Sequence, residues 1–198
     1  MGRIKSALEI ALERTETVKS DKTSIDQFEA KQRGKKLANA FLAEPGTNLG
    51  DALKNTPKEQ IQSFRQGIFD VLLAQISLPV IKDDEKRIET AGKGLQVVIN
   101  NSRFSALYKQ LTQALSQYLD EAAHYDQAIR QQYAPKLRQK EEELSRRMGR
   151  EVRIDPFQDP EFIGFYNQNM NALKANYQAA IDQVRDQAKQ LFNETVST

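Results

Sequence analysis

The spacing of apolar residues in the second half of the chain most limits what this sequence can fold into. From Phe104 to Tyr125, apolar residues recur in alternating steps of four and three, and a second series of similar spacing runs from Tyr166 to Leu191. This period is typical of the contact face between packed α-helices. Gly149, between the two series, is a natural helix C-cap. We therefore expect two long helices joined near residues 149–159.

The two series predict an all-α fold. Because a short connection favours antiparallel neighbours, residues 102–198 are expected to form a long antiparallel helical hairpin, coiled-coil-like, with its tip near residues 149–159. Residues 1–101 are expected to form a helical body of about four helices, on which the open end of the hairpin packs. A brief extended segment at the tip is an alternative, based on Arg146, Met148, Val152 and Ile154. Pro135 predicts a kink in the first long helix.

Apolar residues spaced three and four apart predict the helices of the body. In chain order, these helices and one helical turn cover residues 4–17, 24–44, 48–55, 57–79 and 82–100. The polar residues 19–24 are expected to separate the first two helices. Thr56 and Pro57 are expected to start the most apolar helix, with a capping hydroxyl before a proline at the first helical position. In the last, Gly92 and Gly94 predict a kink or a close helix contact.

Composition limits the class of protein. The chain has no cysteine, which excludes disulfides, thiolate metal sites and cysteine nucleophiles and fits a reducing compartment. The N-terminal residues carry Glu9 and Glu13 in place of the apolar run of a secretory signal. The longest apolar stretch, residues 67–81, is too short to cross a bilayer. We therefore expect a cytoplasmic protein without a membrane span.

Few residues are suited to catalysis. His124 is the only histidine, and Glu121 precedes it at the Glu-x-x-His spacing that holds metal in carboxylate-bridged helical bundles. Such a site needs a second histidine motif, so only two copies of the chain together could complete it. We expect a partly exposed histidine of the hairpin that binds no metal. With the usual nucleophile and base pairs nearly exhausted, we expect no enzyme, no metal, no cofactor and no small-molecule substrate.

Charge is unevenly distributed along the hairpin, although 29 basic and 27 acidic residues leave the chain a net charge of only +2. Seven basic and four acidic residues lie between Lys136 and Arg153, whereas residues 154–198 carry three basic and six acidic ones. Attraction between the two arms of the hairpin is the simplest explanation. Alternatively, the arginines contact phosphate or an acidic partner, with Phe157 and Phe162 as apolar contacts. The candidate contact residues are Arg146, Arg147, Arg150 and Arg153.

Two other surfaces are weaker candidates for binding. Residues 31–36 contain a second basic cluster, which is more typical of a solvated helix face. The last helix is rich in Gln and Asn, so its outer face could contact a protein without desolvating charges.

Three functional hypotheses follow. The first is a non-enzymatic interaction or scaffold protein that acts through helix-helix contacts with a protein partner or a second copy of itself. The second is a nucleic-acid or polyanion binder that uses the arginine-rich tip, and salt dependence of binding would distinguish it from the first. The third, a carboxylate metalloenzyme, requires metal bound through His124 and is the least favoured.

Overall fold

The structure is a computed structural model that describes residues 7–44 and 46–196, with the side chains of residues 23–44 and 46–195. Within these ranges the chain forms six α-helices and one short 3-10 helix, Pro156–Gln158, and no β-strand. The α-helices are α1 (Ala7–Ala43), α2 (Leu49–Lys54), α3 (Ile61–Ala74), α4 (Lys82–Ile99), α5 (Ser102–Met148) and α6 (Pro160–Val196). The predicted all-α class is confirmed. Among these helices, none is apolar over a length that would cross a lipid bilayer.

The chain divides into two compact units. The first comprises Met1–Ile76, Arg87–Ser105 and Ala188–Thr198, and the second comprises Ser77–Lys86 and Ala106–Gln187. The predicted division near residue 101 stays a prediction, as does the packing of a hairpin end on a body.

The core of the first unit is built around α3. The apolar positions predicted for this helix are largely buried, including Phe64, Ile68 and Leu72. The predicted apolar face of α4 is buried in full; it consists of Ile88, Ala91, Leu95 and Val98. A Cβ atom at Gly94 would lie 2.6 Å from Leu72 Cδ1 and 2.9 Å from Phe41 Cε1. The close helix contact predicted from the glycines of α4 is therefore confirmed at Gly94.

The predicted break between the first two helices is wrong, because α1 is continuous from Ala7 to Ala43. Residues 19–24 are polar but include neither glycine nor proline, and ordinary polar residues cost a helix less than about 1 kcal/mol each. The predicted apolar stripe of this region is also partly wrong, because Ile25 and Phe28 are exposed. The expected helical residues before Ala7 lie outside the described residues.

The predicted start of the central helix at Pro57 is wrong as well. Helix α3 begins at Ile61, after a turn at residues 58–60. The Thr56 hydroxyl donates to the carbonyl oxygen of Ala52 at 2.8 Å, so it contacts the end of α2 and leaves α3 uncapped. The helix also ends at Ala74, before the predicted end at residue 79.

In the second unit, most of the two predicted apolar series is buried. On α5 the buried residues include Leu111, Leu115 and Tyr118, and on α6 they include Met170 and Val184. Tyr125, predicted to belong to the contact face, is 38% exposed. The coiled-coil geometry of the two series stays a prediction.

Side-chain contacts between α5 and α6 in this unit run in opposite chain order. The ring of Tyr118 contacts that of Tyr177, while the ring of Tyr133, further along α5, contacts that of Phe162, earlier on α6. Pro135 lies inside α5 without ending it.

Candidate interaction site at the turn between α5 and α6

Helix α5 ends in a reversal that a glycine makes possible. Gly149 has a left-handed φ of 65°, and its N–H donates to the carbonyl oxygen of Ser145 at 2.9 Å. Residues with a side chain rarely adopt this conformation, whereas glycine does so without steric cost. The predicted C-cap at Gly149 is thus confirmed.

The residues after this cap, 150–155, are named here the return segment. They form neither helix nor β-strand. Arg146 and Met148 lie within α5, so the extended alternative is wrong for these two residues, and for Val152 and Ile154 it stays a prediction. Two of their amides are held by side chains of α5. The N–H of Val152 donates to Ser145 Oγ at 2.9 Å, and the N–H of Ile154 donates to Glu141 Oε1 at 2.9 Å. The backbone of the return segment is therefore fixed against the last turns of α5.

The following 3-10 helix is capped by the return segment itself. Asp155 has an extended backbone, and its carboxylate accepts a hydrogen bond from the N–H of Phe157 at 3.0 Å. Pro156 occupies the first position of this helix, where its missing N–H leaves no donor unpaired. The chain then enters α6 at Pro160.

A network of ion pairs joins α5 to the start of α6. The ammonium group of Lys140 lies 2.7 Å from Asp159 Oδ2 and 2.7 Å from Glu161 Oε2. Lys136 lies 3.0 Å from the same Glu161 oxygen. Asp159 is 6% exposed, and the hydroxyl of Tyr133 donates to its carboxylate at 3.3 Å. A buried carboxylate is stable only when it is paired in this way.

The network shifts the acid-base equilibria of its members. The hydrogen bond from Lys140 lowers the pKa of Asp159 below its ordinary value. The same lysine, together with Lys136, lowers the pKa of Glu161 to about 2. The two carboxylates in turn raise the pKa of Lys140. All three groups are therefore charged at neutral pH.

Aromatic rings fill the space next to this network. The centroid of the Phe162 ring lies 5.2 Å from that of Tyr133 and 5.3 Å from that of Phe157, both edge-on. The guanidinium of Arg130 lies 4.8 Å from the Phe157 centroid, a cation–π contact. Phe162 is buried, so its predicted role as a surface contact is wrong; Phe157 remains partly exposed.

The candidate arginines project from this fixed turn. The side chains of Arg146, Arg147, Arg150 and Arg153 are all exposed. Within the described chain, Arg146 approaches Glu142 only at 3.9 Å, and Arg153 lies 3.3 Å from Glu151. Arg147 and Arg150 have no carboxylate within ion-pair distance there. The predicted attraction between the two arms is thus made by lysines.

Apolar side chains are exposed beside these arginines. Leu144 and Met148, on the last turns of α5, are 37% and 52% exposed. Residues Leu144–Gln158, which include the arginines and Phe157, are named here the tip. From here on this range replaces the predicted tip near residues 149–159. The sequence signal for Leu144 is its spacing of seven residues from Leu137, which places the two on one face of α5. That signal did not indicate which of these apolar residues would be uncovered.

Two clefts border the return segment. One, of about 620 Å³, is lined mainly by charged side chains, among them Arg138, Glu142 and Arg153. The other, of about 290 Å³, has Leu144, Ile154 and Pro160 on its wall and Arg147 and Glu143 among its charged residues. The second cleft therefore combines an apolar wall with an arginine.

The other predicted site residues lie elsewhere. His124 is exposed on α5, and Glu121 accepts a hydrogen bond from the hydroxyl of Tyr177. No group of three residues suited to hold a metal ion occurs among the described side chains. In the basic cluster of α1, Lys31 pairs with Asp70 of α3 at 2.8 Å, so it contributes to helix packing.

A family model matches residues 50–190, which include the whole tip and its supporting network. The chain belongs to the DUF6657 family. The model is described as a family of unknown function, so membership in DUF6657 assigns no activity. Comparisons with curated proteins and with solved structures give no match.

Proposed function

We propose that this DUF6657 member is a non-enzymatic, cytoplasmic interaction protein whose protein partner docks on the tip. One observation carries the proposal: exposed arginines without a carboxylate partner in the described chain lie beside exposed apolar side chains. Arg147 and Arg150 are such arginines, and Leu144 and Met148 are such apolar residues. Arginine, methionine and aromatic residues are enriched in protein interfaces relative to the remaining surface.

The rigid support of the tip favours the same function. Two side-chain hydrogen bonds hold the return segment on α5, and Lys140 links α5 to Asp159 and Glu161. A surface that is already ordered loses less conformational entropy when a partner binds. The tip is therefore suited to present its side chains in one arrangement.

The helix faces are less suited to partner binding than the tip. Leu111 and Leu115 of α5 and Val184 of α6 are buried within this chain. A partner, or a second copy, could reach them only by displacing the present contacts. This burial favours docking at the tip over docking along the apolar series.

Polyanion binding is the second candidate, and the excess of arginine supports it. The tip has four arginines against Glu151 and Asp155. However, a phosphate backbone offers no apolar group to cover the exposed Leu144 and Met148. If the tip bound nucleic acid, affinity would fall steeply with salt, in proportion to the phosphates contacted.

Site-specific photo-cross-linking in the native host tests the proposal. A photoreactive residue replaces Met148, and a matched one replaces Lys174, an exposed residue of α6. We expect a discrete protein adduct from position 148 and none from position 174. The double variant Arg147→Glu/Arg150→Glu should lose the adduct, whereas Lys109→Glu/Lys174→Glu, with the same charge change on exposed sites, should keep it. The captured protein must then bind the purified chain with the same dependence on the arginines.

Other results identify the alternatives. Nucleic acid cross-linked at position 148 would replace the proposal with polyanion binding. An adduct between two copies of this chain would indicate self-association at the tip. Absence of any adduct from the tip, with wild-type protein present at its native level, would contradict a docking role there.

A further inference from the structure

The chemistry of the tip identifies the kind of partner segment it fits. We propose that the tip binds an acidic, extended peptide segment of a partner protein, which lies along the return segment and places an apolar side chain against Leu144 and Ile154. This inference rests on the proposed function and specifies its occupant. Three independent features of the described residues support it: charge, cleft and backbone edge.

Charge complementarity is the first feature. The basic residues near the turn fall into two groups. Lys136 and Lys140 are neutralised by Asp159 and Glu161 within the chain. Arg147 and Arg150 have no such partner in the described chain, and a guanidinium binds a carboxylate through two parallel hydrogen bonds. Carboxylates of a partner would supply the counter-charge that these two arginines lack within the described chain.

The smaller cleft is the second feature. Its volume of about 290 Å³ is large enough to hold an apolar side chain. Leu144, Ile154 and Pro160 form its apolar wall, and Arg147 is among its charged residues. In a partner peptide, an apolar side chain could pack on this wall while a neighbouring carboxylate pairs with Arg147. A peptide in which acidic and apolar residues alternate offers both groups.

The backbone of the return segment is the third feature. The amides of Val152 and Ile154, two residues apart, both donate to side chains of α5. Glu151 and Arg153 alternate with these two residues along the return segment. No hydrogen bond from the N–H of Glu151 or Arg153 is formed within the described residues. A free edge of this kind accepts an extended peptide through main-chain hydrogen bonds.

Fluorescence anisotropy with purified full-length chain tests the inference. The probe is a short labelled peptide that alternates glutamate with leucine. Two comparison peptides have the leucines replaced by serine or the glutamates by lysine, and an oligonucleotide has equal negative charge. We expect the Glu-Leu peptide to bind at least about tenfold more tightly than each comparison probe, a difference of about 1.4 kcal/mol.

Variants assign the binding to the tip. Arg147→Glu/Arg150→Glu should weaken binding by about tenfold or more, because it replaces attraction with repulsion. Lys109→Glu/Lys174→Glu should leave it unchanged. Glu143→Gln should tighten binding about two- to threefold, because it removes a carboxylate from the cleft that receives the acidic peptide. Amide exchange should slow at Arg153 when the peptide binds, because its N–H gains an acceptor.

Several outcomes overturn the inference. Equal binding of the serine-containing peptide or the oligonucleotide would identify a general polyanion surface. Binding that survives the double arginine reversal would place the peptide elsewhere. If cross-linking from position 148 captures a protein but the Glu-Leu peptide neither binds nor protects Arg153, docking at the tip stands and the acidic extended occupant is wrong.

Discussion

Gly34 of α1 and Gly67 of α3 lie at a helix crossing where the two backbones touch. A Cβ atom at Gly34 would lie 2.1 Å from the carbonyl oxygen of Phe64, and one at Gly67 would lie 2.1 Å from that of Lys31. Ala30 and Ala38, one turn to either side of Gly34, are fully buried. Because the obstructing atoms belong to backbone, neither helix can yield without moving as a whole.

Gly34→Ala is expected to destabilise the protein by about 3 kcal/mol or more, at the upper end of the cost of overpacking a core. Gly164→Ala is the matched control, because Gly164 lies on α6 with nothing within 4 Å of the added methyl group. That change should instead stabilise by about 0.5–1 kcal/mol, the helix preference for alanine over glycine. Urea unfolding measures both. If the two substitutions changed stability equally, or if Gly34→Ala had no effect, the close crossing would be contradicted.

This crossing also illustrates what the sequence could and could not predict. Ala30, Gly34 and Ala38 recur every four residues, a pattern that allows close helix approach. The lysines and the arginine between these small residues indicated a solvated face. The close helix contact was therefore not predicted. Periodicity predicts that a helix has an apolar face, but the facing helix decides whether small or large residues are needed there.

The candidate site was likewise predictable from the sequence only in part. Gly149 and the position of the turn followed from local backbone preferences, which depend on few residues. The division of the basic residues did not, because Lys140 meets Asp159 only when α5 and α6 lie side by side. The sequence singled out the arginines as candidate contacts, but only the geometry showed that lysines make the ion pairs between α5 and α6.

Phe192, near the end of α6, is buried in the core, although it does not belong to the predicted apolar series. Its ring stacks on that of Phe69 with centroids 4.2 Å apart, and the Arg65 guanidinium lies 5.7 Å from it. Phe192→Ala is expected to destabilise by about 3–5 kcal/mol, as for a buried phenylalanine. Phe28→Ala, at a side chain 63% exposed, should change stability by less than about 0.5 kcal/mol. Thermal and urea unfolding of the two variants compare them directly.

Lys140 is expected to contribute more to stability than Lys136, although both pair with carboxylates. Lys140→Met would leave the buried Asp159 carboxylate without its cation, and an uncompensated buried charge is strongly unfavourable. Lys136→Met removes an exposed pair with Glu161, which contributes little. The urea midpoint should therefore fall for the first variant and stay near wild type for the second. Equal midpoints would show that Asp159 gains little from Lys140.

The same network predicts how stability depends on pH. The pKa values of Asp159 and Glu161 are lowered in the folded chain, that of Glu161 to about 2, by hydrogen bonds from Lys140. Their contribution is fully present above the unfolded pKa values of about 4 and is lost as pH falls toward 2. Because the pKa of Lys140 is raised, its contribution persists up to about pH 10. The difference in urea midpoint between wild type and Lys140→Met should stay constant from about pH 5 to 9 and shrink below about pH 4.

Hydrogen exchange should distinguish the two edges of the return segment. The amides of Val152 and Ile154 are bonded to α5 and should exchange slowly, whereas those of Glu151 and Arg153 should exchange near the rate of unstructured chain. Ser145→Ala removes the acceptor of Val152 and should accelerate exchange of that amide by about fivefold, which corresponds to the loss of one hydrogen bond of about 1 kcal/mol. Ile154, held by Glu141, should change less. If all four amides exchanged alike, the return segment would have no free edge, and a partner strand could not add to it.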